Sequence, residues 1–190
     1  MAAVARYEVR AYDNDELIKG LFQVHPVDVL DELFSGDQKS QGRSVRLLND
    51  LLRFRKSPMD AVADDIIIGW CDLDPKTRYP LAAAAALLFK RPNDNAPHEW
   101  TSLTRQLLLK APDPEAVFKE IVSRLDPTSW SGSLATKFES RLKLLDQLDI
   151  EAVPALAAAL DAAKATLKRR IEAERRRETE EDRARSERFE

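Results

Sequence analysis

Cysteine is nearly absent from this 190-residue chain, Cys71 being the only one. An intrachain disulfide is thereby excluded, and a lone thiol suits the reducing cytoplasm, which is the compartment we expect. Glycine is scarce as well, at 5 residues against 10 prolines. That balance disfavours a turn-rich β protein and suits helices punctuated at their starts. There are two histidines, His25 and His98, each beside a proline. His98 opens "HEWTS", without the second histidine that a zinc-binding H-E-x-x-H helix needs. The carboxylates near Cys71 (Asp64, Asp65, Asp72 and Asp74) read as a solvated face and a helix cap, not as metal ligands. Cys71 follows the apolar "IIIGW" and is expected to be a small buried hydrophobe.

Long apolar runs are missing too. The longest, "LAAAAALLF" at 81–89, is too short to cross a bilayer. The opening "MAAVARYEVR" has no apolar h-region and carries a glutamate, against a secretory signal. An excess of one charge is also lacking: 30 basic and 33 acidic residues leave a net charge of −3. Nothing in that balance attracts nucleic acid or an anionic membrane. No P-loop is present, nor a convincing strand to precede one, and no G-x-S-x-G nucleophile elbow. We therefore expect no catalytic, cofactor-binding or metal-binding residues.

What is present is helical patterning. Apolar residues make up 44% of the chain and charged residues 33%, enough for one sizeable core or for a stacked array with a tail. Stripes at helical spacing run through Met59, Val62, Ala63, Ile66, Ile67 and Trp70, and through Trp100, Leu103 and Leu107. Others run through Val117, Phe118, Ile121, Val122 and Leu125, and through Leu134, Phe138, Leu142, Leu145 and Leu148. Ser57-Pro58, Asp74-Pro75 and Asp113-Pro114 read as N-caps followed by proline at the first helical position, where the missing N–H would have no partner anyway. His25-Pro26 and Ala96-Pro97 are similar breaks. Together these signals predict helices around 14–24, 26–34, 40–54, 58–71, 76–89, 97–110, 114–125, 133–148 and from 152 onward.

The prolines also carry a repeat. The interval from Pro58 to Pro97 equals that from Pro75 to Pro114, and equally long segments opening at Pro58 and Pro97 both end in Asp-Pro. A period near 40 with two helices per period is the spacing of HEAT-type arrays. The expected fold is thus all-α, a HEAT-like α-solenoid of antiparallel helix pairs over 1–167. A long C-terminal helix continues from it, its charged end 168–190 projecting or forming a tail. That end holds 9 basic and 8 acidic residues. Its pairs Glu172/Arg176, Arg177/Glu181 and Glu181/Arg185 lie at i, i+4, where each adds about 0.2–0.5 kcal/mol to a helix. The basic run "KRRIEAERRR" is offset by the acids after it, so a salt-bridged solvated helix is expected rather than an RNA-binding one.

One stretch looks functional: "SWSGS", Ser129 to Ser133, directly ahead of an amphipathic helix. Free N–H groups at a helix start can hold a phosphate. The simpler expectation is a joint, with Ser131 or Ser133 capping the helix, Gly132 turning and Trp130 packed over the join. Trp70, Trp100 and Trp130 are evenly spaced along the chain. Packing is expected for them in preference to an exposed ladder for a peptide or unpaired bases.

From about Ala116 the chain resembles the C-terminal helical end of large bacterial multidomain proteins, uncharacterised or NTP-binding, some associated with phage defence. Trp130, Ser131, Gly132, Ser133, Glu139, Arg141, Leu142, Leu145, Arg188, Phe189 and Glu190 carry the resemblance. It implies the closing segment of a HEAT-like array, either a fragment of a longer protein or a stand-alone relative, and no catalytic role for these residues.

The resulting expectation is a non-enzymatic helical-repeat scaffold binding another protein or an upstream domain, through Trp130, Ser131, Ser133, Arg175, Arg176, Arg177 and Phe189. Neither a membrane nor nucleic acid is an expected partner. The alternative is a regulatory or sensor domain of an NTP-dependent bacterial defence system, contacting nucleic acid or a phage component. That role requires cations gathered on one face. A third, enzymatic reading requires several of Asp64, Asp65, Cys71, His98 and Ser131 to converge in one pocket.

Overall fold

The computed structural model describes residues 15–53, 58–93, 96–149 and 151–187. Among these the chain is mostly helical, with nine α-helices, two 3₁₀ turns and two strands of two residues each. It forms two compact units, Met1–Lys90 with Trp100–Ile121, and Arg91–Glu99 with Val122–Glu190.

The first unit opens with α1 (Asp15–Val24), α2 (Pro26–Phe34) and α3 (Gln38–Arg53). Pro26 starts α2 at a position where its missing N–H costs nothing. Gly36, at φ +87°, supplies the left-handed residue after α2 that lets the chain reverse. Asp37 then caps α3, its carboxylate accepting the Ser40 N–H at 2.9 Å. That bond holds the Asp37 carboxyl below the usual carboxylate range.

A 3₁₀ turn (Pro58–Ala61) precedes α4 (Asp64–Asp72). The periodicity predicts one helix over 58–71; the chain instead breaks at 62–63 and restarts at Asp64. The break shifts the helical phase. Ile67, Ile68, Trp70 and Cys71 form the buried face, while Ile66 and Ala63 turn outward. Helix α5 (Pro75–Ala85) follows, then strands β1 (Phe89–Lys90) and β2 (Glu99–Trp100), which pair with each other. Helices α6 (Ser102–Lys110) and α7 (Pro114–Ser123) come next. Helix α5 stops at Ala85, short of its expected end, because Ala86 takes an extended conformation, and the Leu87 and Leu88 carbonyls that follow have partners outside the helix. Thr101 Oγ1 donates to Leu87 O at 2.9 Å and Thr104 Oγ1 to Leu88 O at 2.9 Å. Thr101 also caps α6 by accepting the Thr104 N–H, which places that helix start at 102 rather than at Pro97. At α7 the expected cap is present, Asp113 Oδ1 accepting the Ala116 N–H at 3.0 Å.

Within this unit α5 packs on α3, α4 and α6, α2 packs on α1, α3 and α4, and α1 also covers the 3₁₀ turn. Ala82 to Ala86 are all buried at the centre, alongside Phe22, Leu30, Leu48, Ile67, Trp70, Tyr79 and Leu107.

The second unit is dominated by α8 (Leu134–Leu145) and α9 (Ala157–Ser186), which pack on each other, with a 3₁₀ turn (Pro154–Leu156) leading into α9. Leu134, Ala135, Phe138, Leu144 and Leu145 are buried in its core, as are Leu156, Leu160, Leu167 and Ile171. At 30 residues α9 is roughly 45 Å long and runs unbroken through 167/168. No helix among the described residues is long and apolar enough to cross a membrane.

Candidate functional site

The loop before α8 is built around its serine and glycine. Residues 128–132 are exposed, and Gly132 takes φ +74°, a left-handed value that other residues adopt only with strain. Ser133 is the N-cap: its Oγ accepts the Thr136 N–H at 3.0 Å. The same hydroxyl donates to Glu178 Oε2 at 2.9 Å. Glu178 Oε1 in turn accepts the Leu134 N–H at 2.8 Å and the Ala135 N–H at 3.2 Å. A side chain from α9 therefore fills the helix-start position that a phosphate would take. These bonds, that from Ser133 first, hold the Glu178 carboxyl below its ordinary range, with Arg177 adding a smaller effect.

Trp130 does not seal this joint. Its side chain is 50% exposed, whereas Trp70 and Trp100 are 2% and 4% exposed. The even spacing of the tryptophans thus joins two core residues to one surface residue. Ser131 is exposed in the same loop.

Charged pairs tie α9 to its own unit. Lys164 meets Asp146 at 2.9 Å, Arg170 pairs with Asp126 and lies over the Phe138 ring, and Arg175 pairs with Glu139. Arg177 reaches Glu174 at 2.9 Å and Glu181 at 3.6 Å, Arg183 reaches Glu187 at 2.9 Å, and Arg185 reaches Asp182 at 3.8 Å, all four along the same stretch of chain. Arg176 is exposed. Phe189, with Arg188 and Glu190, lies outside the described residues.

A second cluster in this unit surrounds His98. Its Nδ1 shares a 2.8 Å hydrogen bond with Ser140 Oγ, and its backbone carbonyl accepts Gln147 Nε2 at 2.9 Å. Burial pushes the ring down to about 4, helped by the positive charges of Arg141, Arg91 and Lys137. Arg141 donates through Nε to Leu125 O and is itself pushed down to about 10 by burial and by Arg91. A Ser–His pair is the geometry of an activated nucleophile. Here, however, the same cations oppose the imidazolium that taking the serine proton would create, and a base near 4 is a poor acceptor at neutral pH.

In the first unit, Asp31 gathers two donors: the buried Trp70 through Nε1 at 2.8 Å and the part-exposed Arg78 through Nη2 at 2.9 Å. Arg78 also donates to Trp70 O at 3.1 Å and lies 4.7 Å over the Trp70 ring. Next to it, Tyr79 donates to Asp72 Oδ1 at 2.8 Å; burial and that bond push the phenol up. Cys71 is fully buried, and burial, reinforced by Asp72, pushes its thiol up to about 12. Such a thiol is no nucleophile. Asp64 Oδ2 accepts Gln106 Nε2 at 3.1 Å at the start of α4, about two turns from the buried Cys71. Among the described residues no group of three or more His, Cys, Asp or Glu is placed to hold a metal ion.

Ser133 and Trp130 stand out in the sequence itself; Glu178, the His98–Ser140 pair and the Asp31–Trp70–Arg78 contacts do not. Ser133 and Glu178 lie 45 positions apart, His98 and Ser140 lie 42 apart, and Asp31 and Trp70 lie 39 apart, beyond any local spacing rule. No protein-family model matches the chain, and no match was found among curated proteins or among solved structures.

Proposed function

We propose that this chain is a non-enzymatic helical interaction module whose docking element is the Trp130 loop. The exposure of Trp130, beside two tryptophans buried in cores, carries the reading. A half-exposed indole on a loop anchored at Ser133 is a large, rigid anchor of the kind that dominates protein interfaces. A protein partner suits the surface better than nucleic acid does. The net charge is −3, and Lys164, Arg170, Arg175, Arg177, Arg183 and Arg185 on α9 each meet a carboxylate. The repeated proline interval supports a HEAT-like stacking of the helices. The resemblance over 116–190 supports a place in a larger bacterial assembly, with phage defence as one setting. The single buried thiol suits the cytoplasm.

The test is a photo-crosslinking residue placed at the exposed Ser129, beside Trp130, followed by purification of the captured protein and direct titration. Trp130→Ala should weaken that complex by about thirtyfold, as loss of a central aromatic anchor does. Equal affinity for both chains would refute the reading.

A further inference from the structure

Beyond Ile171, α9 has no buried apolar side chain among the described residues. Its contacts to α8 there are polar: Arg175 to Glu139, and Glu178 to Ser133, Leu134 and Ala135. The segment nevertheless stays helical, supported by ion pairs internal to it at 174/177, 177/181, 182/185 and 183/187. It is thus a stiff element held by charge and hydrogen bonds, without a buried apolar side chain of its own to resist separation. Segments of this kind open at low free energy.

We propose that residues 172–186 of α9 form an electrostatic strap. Glu178 is its buckle on the first turn of α8, and undoing it releases the Trp130 loop from a single conformation. The three groups at the buckle lie where that loop meets α8: the Ser133 hydroxyl at the cap and the Leu134 and Ala135 amides of the first turn. Only two residues separate Ser133 from Trp130, one of them the left-handed Gly132. Losing Glu178 leaves Ser133 held only by its cap contacts to Thr136, and so loosens the backbone that aims the indole. With the strap closed the anchor is pre-organised, and a partner meets it without an ordering cost. The consequence for binding rests on the docking role proposed for Trp130. The strap itself does not depend on that role.

The experiment uses the full chain and reads amide hydrogen exchange by NMR, with Trp130 labelled as 5-fluorotryptophan and its resonance assigned from Trp130→Phe. In Glu178→Ala the Leu134 and Ala135 amides should exchange at least tenfold faster, while those of Leu144, Leu145 and Leu107 stay unchanged. The Trp130 fluorine signal should shift or broaden, and 1 M salt should move the wild-type chain in the same direction. Glu178→Gln, which keeps the shape and removes the charge, should fall between the two. Unchanged exchange at Leu134 and Ala135 would overturn the strap, as would acceleration along the whole of α8. Faster exchange with an unmoved Trp130 signal would overturn its control of the loop. If the strap behaves as stated but Trp130→Ala binds the purified partner normally, the docking role fails and the strap stands.

Discussion

Ser133 and Glu178, 45 residues apart, share a 2.9 Å hydrogen bond in which the serine hydroxyl is the donor, while the same oxygen accepts the Thr136 N–H. The serine is thus committed in both directions. Ser133→Ala should cost about 1 kcal/mol, as a lost cap does. Ser133→Asp separates the two roles: aspartate caps an isolated helix as well as serine. Here its carboxylate would face that of Glu178, so Ser133→Asp should be less stable than Ser133→Ala. Adding Glu178→Ala should reverse the order, and urea denaturation of the four variants measures it. Ser133→Asp more stable than Ser133→Ala by the full value of a cap, with Glu178 in place, would show that Glu178 exerts no field there.

The same carboxylate gives an acid limb to the docking of α9. Its pKa is lowered in the fold, so the stabilisation is present above the unfolded value and is lost as pH falls through the folded one. Loss of α8 first-turn protection should therefore begin below the ordinary glutamate range. Following the Leu134 and Ala135 amide shifts from pH 6 to 3 would show it, and Glu178→Gln should abolish the transition.

His98 acts at higher pH. Its ring titrates at about 4 in the fold, against about 6.5 in an unfolded chain. Between those values only the unfolded state takes up the proton, so stability should fall as pH drops from 6.5 to 4 and stay level above 7. Urea midpoints across that range check the slope, and His98→Gln should flatten it.

Cys71 should resist thiol reagents in the native chain and react in full once the chain is unfolded, because burial keeps the thiol protonated at neutral pH. Timed labelling with and without denaturant decides this. Reaction of the native chain at the rate of a free thiol would show that α4 opens readily.

Trp70→Phe should cost about 2 kcal/mol, combining a lost hydrogen bond to Asp31 with lost ring volume against Phe34. Asp31 keeps its pair with Arg78, so the fold should survive with a lower melting temperature.

Much of the fold is legible because proline and capping signals act within a few residues. Pro26, Pro75 and Pro114 each begin a helix as their flanks indicate. Pro58 and Pro154 open 3₁₀ turns instead, and Pro97 precedes a strand, since the φ that the proline ring imposes suits all three settings. The break before Asp64 is hidden because Met59, Val62 and Ile67 continue a helical stripe that the backbone does not follow. At the candidate site the cap can be read from Ser133 alone. Its partner Glu178 sits among eight acids in a segment of uniform composition, and only the packing of α9 on α8 distinguishes it from the others.

The buried alanines at the end of α5 and just past it carry a consequence for how this sequence can drift. Ala82, Ala83, Ala85 and Ala86 are at most 1% exposed, against α3, α4 and α6. A valine at any of them adds methyl groups to a filled space, while a glycine loosens the helix or its end. The five-letter run that looks least informative on the page thus has almost no permitted spelling but its own, and changes should accumulate on every surface helix before they enter it.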